Sequence, residues 1–225
     1  NKMKKPIRFL DLEEQNIFLA YADKNSNAKA FRLVLQTGLR TGELVGLTWD
    51  NFDRVKRTLT VDKTMEYRYE SGAWRVGPPK TMSAFRTIPL TNEAYDILFE
   101  LYIKRETRKE SPVLSQVLTF RDPRTGLVRE VCMQDLIFIN CRTGEPTKNS
   151  TYDTNLEKLC RKADIKPFSM HALRHTFATR CVERGVNPKS LQKILGHAQL
   201  STTMDTYVHV TDDSLQVAMM QFQAV

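Results

Sequence analysis

The chain is short of several things, and each shortage removes a class of protein. Its four cysteines, Cys132, Cys141, Cys160 and Cys181, fall at no Cys-x-x-Cys spacing, so neither a zinc-ribbon framework nor a disulfide scaffold is written into it. They read as reduced thiols of a cytosolic protein. No apolar stretch approaches the roughly 20 residues of a membrane-spanning helix. The opening segment Asn1 to Pro6 is basic and polar, without the apolar centre of a signal sequence. Internal repeats and low-complexity tracts are lacking, which excludes fibrous and disordered readings. No cluster of Asp and Glu offers a cage for a divalent cation.

What is present is positive charge. Against 26 Asp and Glu stand 34 Lys and Arg, a formal net charge of +8 over 225 residues. That balance points to polyanions, although a membrane surface or an acidic partner would satisfy charge alone. With 41% hydrophobic and 27% charged residues the composition is that of a globular protein. A chain of this length can bury about 70% of its extended surface in one core.

The pattern predicts a mostly helical α+β domain. Residues 1–10 carry Lys2, Lys4, Lys5 and Arg8 without an acid and read as a basic linker or arm. Helical spacing begins at Leu12, and a second helix runs through Phe31, Val34 and Leu35 to Thr37, broken by Gly38. Arg40 sits beside the start of the next helix. From Thr58 to Leu90 the texture becomes β-branched and aromatic, predicting three antiparallel strands with Glu70, Ser71 and Gly72 turning the first hairpin. Lys80 then falls in the loop before the third strand. Tyr67, Arg68, Tyr69, Trp74 and Arg75 in that hairpin suit a surface that lies against a polyanion such as DNA, a shield over an active site, or an ordinary packed face. Thr91 caps a helix toward Lys104, residues 111–149 resolve only into loops and an occasional strand, and a helix resumes near Thr151. The last third is helical: His171 to Arg184; a helix capped by Asn187 with Pro188 at its first position and Gly196 past its end; and one opened by Ser201. A final stripe, Leu215, Ala218, Met219 and Phe222 in a helix at about 212–223, would pack on its own domain or dock on a neighbouring protomer.

Reactive side chains gather near the carboxyl end. His171 and His175 are four residues apart and could converge on zinc, but the metalloprotease pattern needs Glu after the first His, Ala172 stands there, and a third ligand is missing. A phosphodiester fits better. Displacement at phosphorus adds charge to the non-bridging oxygens, which calls for guanidinium forks and imidazole donors held in place. Arg40, Arg174, His171 and His197 supply that set, Tyr207 could supply a phenol nucleophile, and Lys80 a proton for the leaving alkoxide. Each residue taken alone has a plain reading as a core, surface or solvated side chain.

Taken in order they form a pattern. Thr37-Gly38-Leu39-Arg40-Thr41-Gly42-Glu43, His171-Ala172-Leu173-Arg174-His175, Leu195-Gly196-His197 and Thr203-Met204-Asp205-Thr206-Tyr207-Val208-His209 resemble the motifs of the tyrosine recombinase (phage integrase) family, and among its members the integrases of conjugative transposons. The resemblance runs from Leu12 to about Thr211. It implies the fold shared with type IB topoisomerases, a mostly helical catalytic core with a small three-stranded antiparallel sheet. It implies that Arg40 and Arg174 bind the scissile phosphate, that His171 is the general base or a phosphate contact, that His197 supports the transition state, and that Tyr207 is the nucleophile. Lys80, in Pro79-Lys80-Thr81 ahead of Arg86-Thr87-Ile88-Pro89-Leu90, matches the general-acid lysine, with Lys63 as its rival. Glu43 matches an acidic position that orients the first arginine.

The activity implied is site-specific DNA cleavage and rejoining through a 3′-phosphotyrosine and a Holliday junction, integrating and excising a mobile element without metal, ATP or other cofactor. The implied partners are double-stranded DNA, further copies of the chain in a tetramer, and accessory DNA-bending or excision factors, in the cytoplasm at the nucleoid and away from membranes. Residues 11–225 would be the catalytic domain, with the family's N-terminal DNA-binding domains outside this chain. A type IB topoisomerase or a non-catalytic DNA-binding module are the alternatives.

Overall fold

A computed structural model describes residues 8–107, 111–140 and 142–211, with side chains through residue 206. The basic arm at residues 1–7, Cys141 and the expected helix at 212–223 lie outside the described residues. Capping chemistry sets the helix boundaries. Asp11 and Glu14 close a reciprocal capping box on α1 (Leu12–Ala22). α2 (Ala28–Thr37) ends where Gly38 turns left-handed at φ 65°. A Cβ there would lie 2.5 Å from the Phe177 ring, so only glycine fits. Arg40 then precedes the short α3 (Thr41–Val45). Thr91 caps α4 (Asn92–Ile103) by accepting from the Ala94 amide.

The β region differs from a single three-stranded run. The segment read as one strand through Leu59 and Tyr67 breaks at Asp62 and Lys63, whose side chains turn inward. Its first half, β2 (Thr58–Val61), pairs with β1 (Phe52–Asp53) and β5 (Arg86–Pro89) in a three-stranded antiparallel sheet that sets Leu59 opposite Ile88. Its second half, β3 (Thr64–Arg68), forms a separate hairpin with β4 (Ala73–Gly77), setting Tyr67 opposite Trp74. The segment left open in the sequence holds two further hairpins, β6 (Val117–Arg121) with β7 (Val128–Cys132), and β8 (Ile139–Asn140) with β9 (Glu145–Pro146).

The inward turn at Asp62 and Lys63 feeds a buried ionic network. Lys63 Nζ donates to Asn51 Oδ1 at 2.7 Å and Asp62 Oδ1 at 3.1 Å, and stands 3.8 Å from Asp50. Arg129 reaches Asp62 Oδ2 at 2.6 Å, and Asp122 takes Arg124 at 2.6 Å and Arg129 at 3.7 Å. The Arg124 guanidinium lies 4.1 Å from the Phe85 ring. Burial alone would raise the Asp62 carboxyl; Lys63 and Arg129 outweigh it and hold it low.

The C-terminal helices are α5 (Asn149–Ala163), α6 (Met170–Glu183), α7 (Pro188–Leu195) and α8 (Leu200–Thr211). Pro188 starts α7 and Gly196 ends it, at φ 64°. Phe18 packs at 5.1 Å from Phe168 and 5.9 Å from Phe31, which meets Tyr152 at 6.2 Å, so the main core joins α1, α2 and α5. Ala178, Val182, Leu191 and Leu195 form a smaller core under α6 and α7. Leu10, placed by sequence in the basic arm, is fully buried, its amide donating to Thr176 Oγ1 at 2.9 Å. Cys132, Cys160 and Cys181 are free thiols, and burial raises Cys181 to about 11, which leaves it unreactive. Among the described residues no helix is long and apolar enough to cross a membrane.

Candidate active site

Arg40, Glu43, Arg86 and Arg174 come from α3, β5 and α6 and meet at one carboxylate. Glu43 Oε1 accepts from Arg40 Nη1 at 2.8 Å and Arg86 Nη1 at 3.1 Å. Its Oε2 accepts from the Arg40 amide at 2.9 Å and Arg86 Nη2 at 2.8 Å, with Arg174 Nη1 at 4.0 Å. A carboxylate has about four acceptor positions, and here all are filled. Burial alone would raise Glu43, but the Arg86 hydrogen bond and the charges of Arg86, Arg174 and Arg40 hold it below the usual range. Three cations around one anion leave a positive surplus. Burial, then Arg40 and Arg86, pull Arg174 down to about 9, which leaves it charged at neutral pH.

Arg174 is itself fixed by two carbonyls, Gly38 O at 2.5 Å and Leu195 O at 2.7 Å. It therefore ties the end of α2 to the end of α7. The side chain of Arg40 is 40% exposed and that of Arg174 only 3%, so the first can follow a ligand and the second is set before one arrives.

Two clefts share a wall made by Arg40 and His197. The larger, about 490 Å³, is also lined by Lys80, Thr81 and Ala84 from the loop before β5 and by Gly196. The smaller, about 230 Å³, is lined by His171, Arg174, His175, Asp205 and Thr206. Five of the residues singled out in sequence, Arg40, Lys80, His171, Arg174 and His197, thus border one continuous region, and Glu43 lines the larger cleft beneath them. Tyr207 follows Thr206 in α8; its side chain lies outside the described residues. Lys63, the rival lysine, is buried in the ionic network with 2% of its side chain exposed and lines neither cleft. Tyr67 packs edge-on against Tyr69 and Trp74 at 5.1 and 5.4 Å, with Lys148 Nζ 3.6 Å from its ring centre, which favours the packed-face reading of that hairpin.

The three histidines with described side chains are pushed toward the neutral form. Covering of part of its ring, then Arg174 and Arg40, lower His171, whose ring meets that of His175 at 4.3 Å. Burial and the nearby cations bring His175 and His197 to about 4. His197 Nδ1 lies 2.9 Å from the buried Thr203 hydroxyl, while its backbone amide donates to Gln192 O and its carbonyl accepts from Gln192 Nε2, each at 3.1 Å. Sequence reasoning passed over Arg86, Thr203 and Gln192. For Arg86 a signal existed: it shares the inward strand face with Ile88, while Thr87 and Pro89 point out. Among the described residues no group of three or more His, Cys, Asp or Glu is gathered as metal ligands would be.

The sequence profile of the phage integrase family matches residues 8–214. The chain belongs to that family. The transposase of transposon Tn916 from Enterococcus faecalis is 30% identical to this integrase-family chain over 215 residues, 92% of the chain and 48% of that protein. An XerC-like tyrosine recombinase of Caldanaerobacter subterraneus is 29% identical over 187 residues, 80% of the chain and 44% of that protein. The chain thus spans about half the length of the curated relatives it matches. Among solved structures, the Tn1549 transposon integrase in complex with transposon right end DNA superposes with a TM-score of 0.77 at 26% identity, covering 98% of this chain and 68% of that one. The catalytic domain of bacteriophage HP1 integrase shares the fold, with a TM-score of 0.55 at 21% identity over 96% of this chain and 95% of that one.

Proposed function

We propose that this chain is the catalytic part of a site-specific DNA recombinase that integrates and excises a mobile element. The observation that carries the reading is the surplus of positive charge fixed at Arg40, Arg86 and Arg174 around the single carboxylate of Glu43, opening on clefts that Lys80, His171 and His197 border. The DNA held by the Tn1549 integrase structure and the transposase name of the Tn916 relative support DNA as the substrate.

In this reading Arg40 and Arg174 hold the non-bridging oxygens of one phosphodiester, where charge grows during displacement. The Tyr207 phenol, ordinarily titrating near 10, gives its proton to neutral His171 as its oxygen attacks phosphorus. The bond to the 5′ oxygen breaks, and Lys80 gives that oxygen a proton. With Thr203 donating to Nδ1, the other nitrogen of His197 carries the hydrogen and donates it to the phosphate. The product is a 3′-phosphotyrosyl link and a free 5′-hydroxyl. A 5′-hydroxyl from a second duplex reverses the step on a new strand, so the phosphodiester energy is conserved without ATP or metal. Two such exchanges pass through a Holliday junction. Four copies of the chain on two duplexes, with DNA-bending or excision factors, would complete the reaction at the nucleoid in the cytoplasm.

A nicked suicide DNA duplex carrying the element's end, incubated in EDTA, tests this. Wild type is expected to trap a covalent protein–DNA adduct, and Tyr207→Phe none. Absence of an adduct with wild type, or equal trapping by the variant, overturns the enzyme reading. Efficient relaxation of supercoiled DNA without strand exchange would make the chain a topoisomerase instead.

A further inference from the structure

We propose that Arg86 is a positioning residue that assembles the phosphate-binding cluster by joining the three segments that carry Arg40, His197 and Lys80; the proposal rests on the strand-cleavage reading above. Its side chain is only 5% exposed. Nε donates to Ile194 O at 2.6 Å, Nη1 to Glu43 Oε1 at 3.1 Å and Ala84 O at 3.0 Å, and Nη2 to Glu43 Oε2 at 2.8 Å. Four of the five N–H groups of a guanidinium are therefore committed to protein acceptors, and a phosphate has no claim on them. The acceptors lie on three different segments. Glu43 holds both the side chain and the backbone amide of Arg40. Ile194 lies in the last turn of α7, directly before the turn that presents His197. Ala84 lies in the loop that carries Lys80.

Close packing shows that this junction is built rather than incidental. A Cβ on Gly196 would stand 2.9 Å from Ala84 Cα and 3.1 Å from Arg86 Cδ and Nη1. The turn before His197 thus touches the Lys80 loop through a glycine, with the Arg86 side chain beside the contact. A lysine at 86 would keep the charge but present one nitrogen, unable to reach a fork of carboxylate oxygens and a carbonyl on another element together.

The test is single-turnover cleavage of the suicide duplex by Arg86→Lys, with DNA affinity measured separately on the Tyr207→Phe background. Misplacement by about 1 Å costs about 10²-fold. The expected result is a fall of that order at saturating DNA, with the dissociation constant changed by no more than about twofold and no further loss when Arg86→Lys is added to Glu43→Gln. Cleavage within about twofold of wild type, or a loss removed by raising the DNA concentration, overturns the proposal. Should Arg86→Lys lack a cooperative melt, the isosteric Glu43→Gln, which opens the same junction from its other side, is judged by the same rate and affinity criteria. Wild type is the control that separates the two readings: if it forms no adduct the recombinase reading fails, and if it does while Arg86→Lys, or Glu43→Gln where it stands in, cleaves normally, only the role of Arg86 fails.

Discussion

Among the described residues two ionic clusters centre on buried carboxylates, and their charge balance differs. Around Asp62, three cations (Lys63, Arg124 and Arg129) meet three carboxylates (Asp50, Asp62 and Asp122). Around Glu43, three guanidinia meet one carboxylate. The first is neutral and closes on itself between the three-stranded sheet and the β6–β7 hairpin. The second holds its surplus beside open clefts. Buried charges are costly unless paired, so a fold that keeps unpaired positive charge half-buried is organised for an anion that arrives from outside. Ion pairing by itself does not mark a functional site; the proposed phosphate-binding role rests on the imbalance.

Four experiments test that contrast. Arg174→Lys leaves the charge but cannot bridge Gly38 O and Leu195 O, and single-turnover adduct formation should fall about 10³-fold; a rate within tenfold of wild type would remove the functional meaning of the imbalance. Lys80→Ala should slow cleavage about 10²-fold, with thermal stability changed by less than about 0.5 kcal/mol because the side chain is exposed. A 5′-bridging phosphorothioate, whose sulfur leaves without needing a proton, should restore it. Lys63→Met, in the balanced cluster, should behave in the opposite way: a loss of roughly 3 kcal/mol in denaturant unfolding with the cleavage rate per folded molecule unchanged.

The smallest effect is the pH dependence of stability. His197 and His175 sit near 4 in the folded protein and near 6.5 when unfolded. Between those values the unfolded chain binds more protons, so stability is full above about 6.5 and is lost as pH falls toward 4. The Glu43 and Asp62 carboxyls, held below their ordinary values, add their loss only at lower pH. His197→Asn should flatten the upper part of that decline in denaturation midpoints measured between pH 4.5 and 7; an unaltered slope would remove His197 as its source.

Helices and their ends were legible in the sequence because caps are local: Thr91, Asn187 with Pro188, and Gly38 and Gly196 all act within one turn. The strands were less so. Asp62 and Lys63 look like strand residues until their partners from β7 and residue 51 are known, and the hairpins within 111–149 depend on pairings that no periodicity reveals. The gathering of Arg40, Lys80, His171, Arg174 and His197 was legible through motif order. Nothing in the spacing tells that Thr203 faces His197 or that Arg86 completes the Glu43 carboxylate, because the first contact depends on how the chain turns between α7 and α8 and the second joins elements 43 residues apart.

Consecutive carbonyls at the end of α7, Ile194 O and Leu195 O, are each held by a different guanidinium, Arg86 and Arg174. Successive residues of an α-helix are rotated by about 100°. Inserting or deleting a single residue in this eight-residue helix would swing both carbonyls off their arginines at once and carry His197 round with them. The length of α7 is therefore counted in whole residues by the candidate site, and change in this part of the chain is expected to accumulate in the connection at residues 184–187, where it leaves the phase of the helix intact.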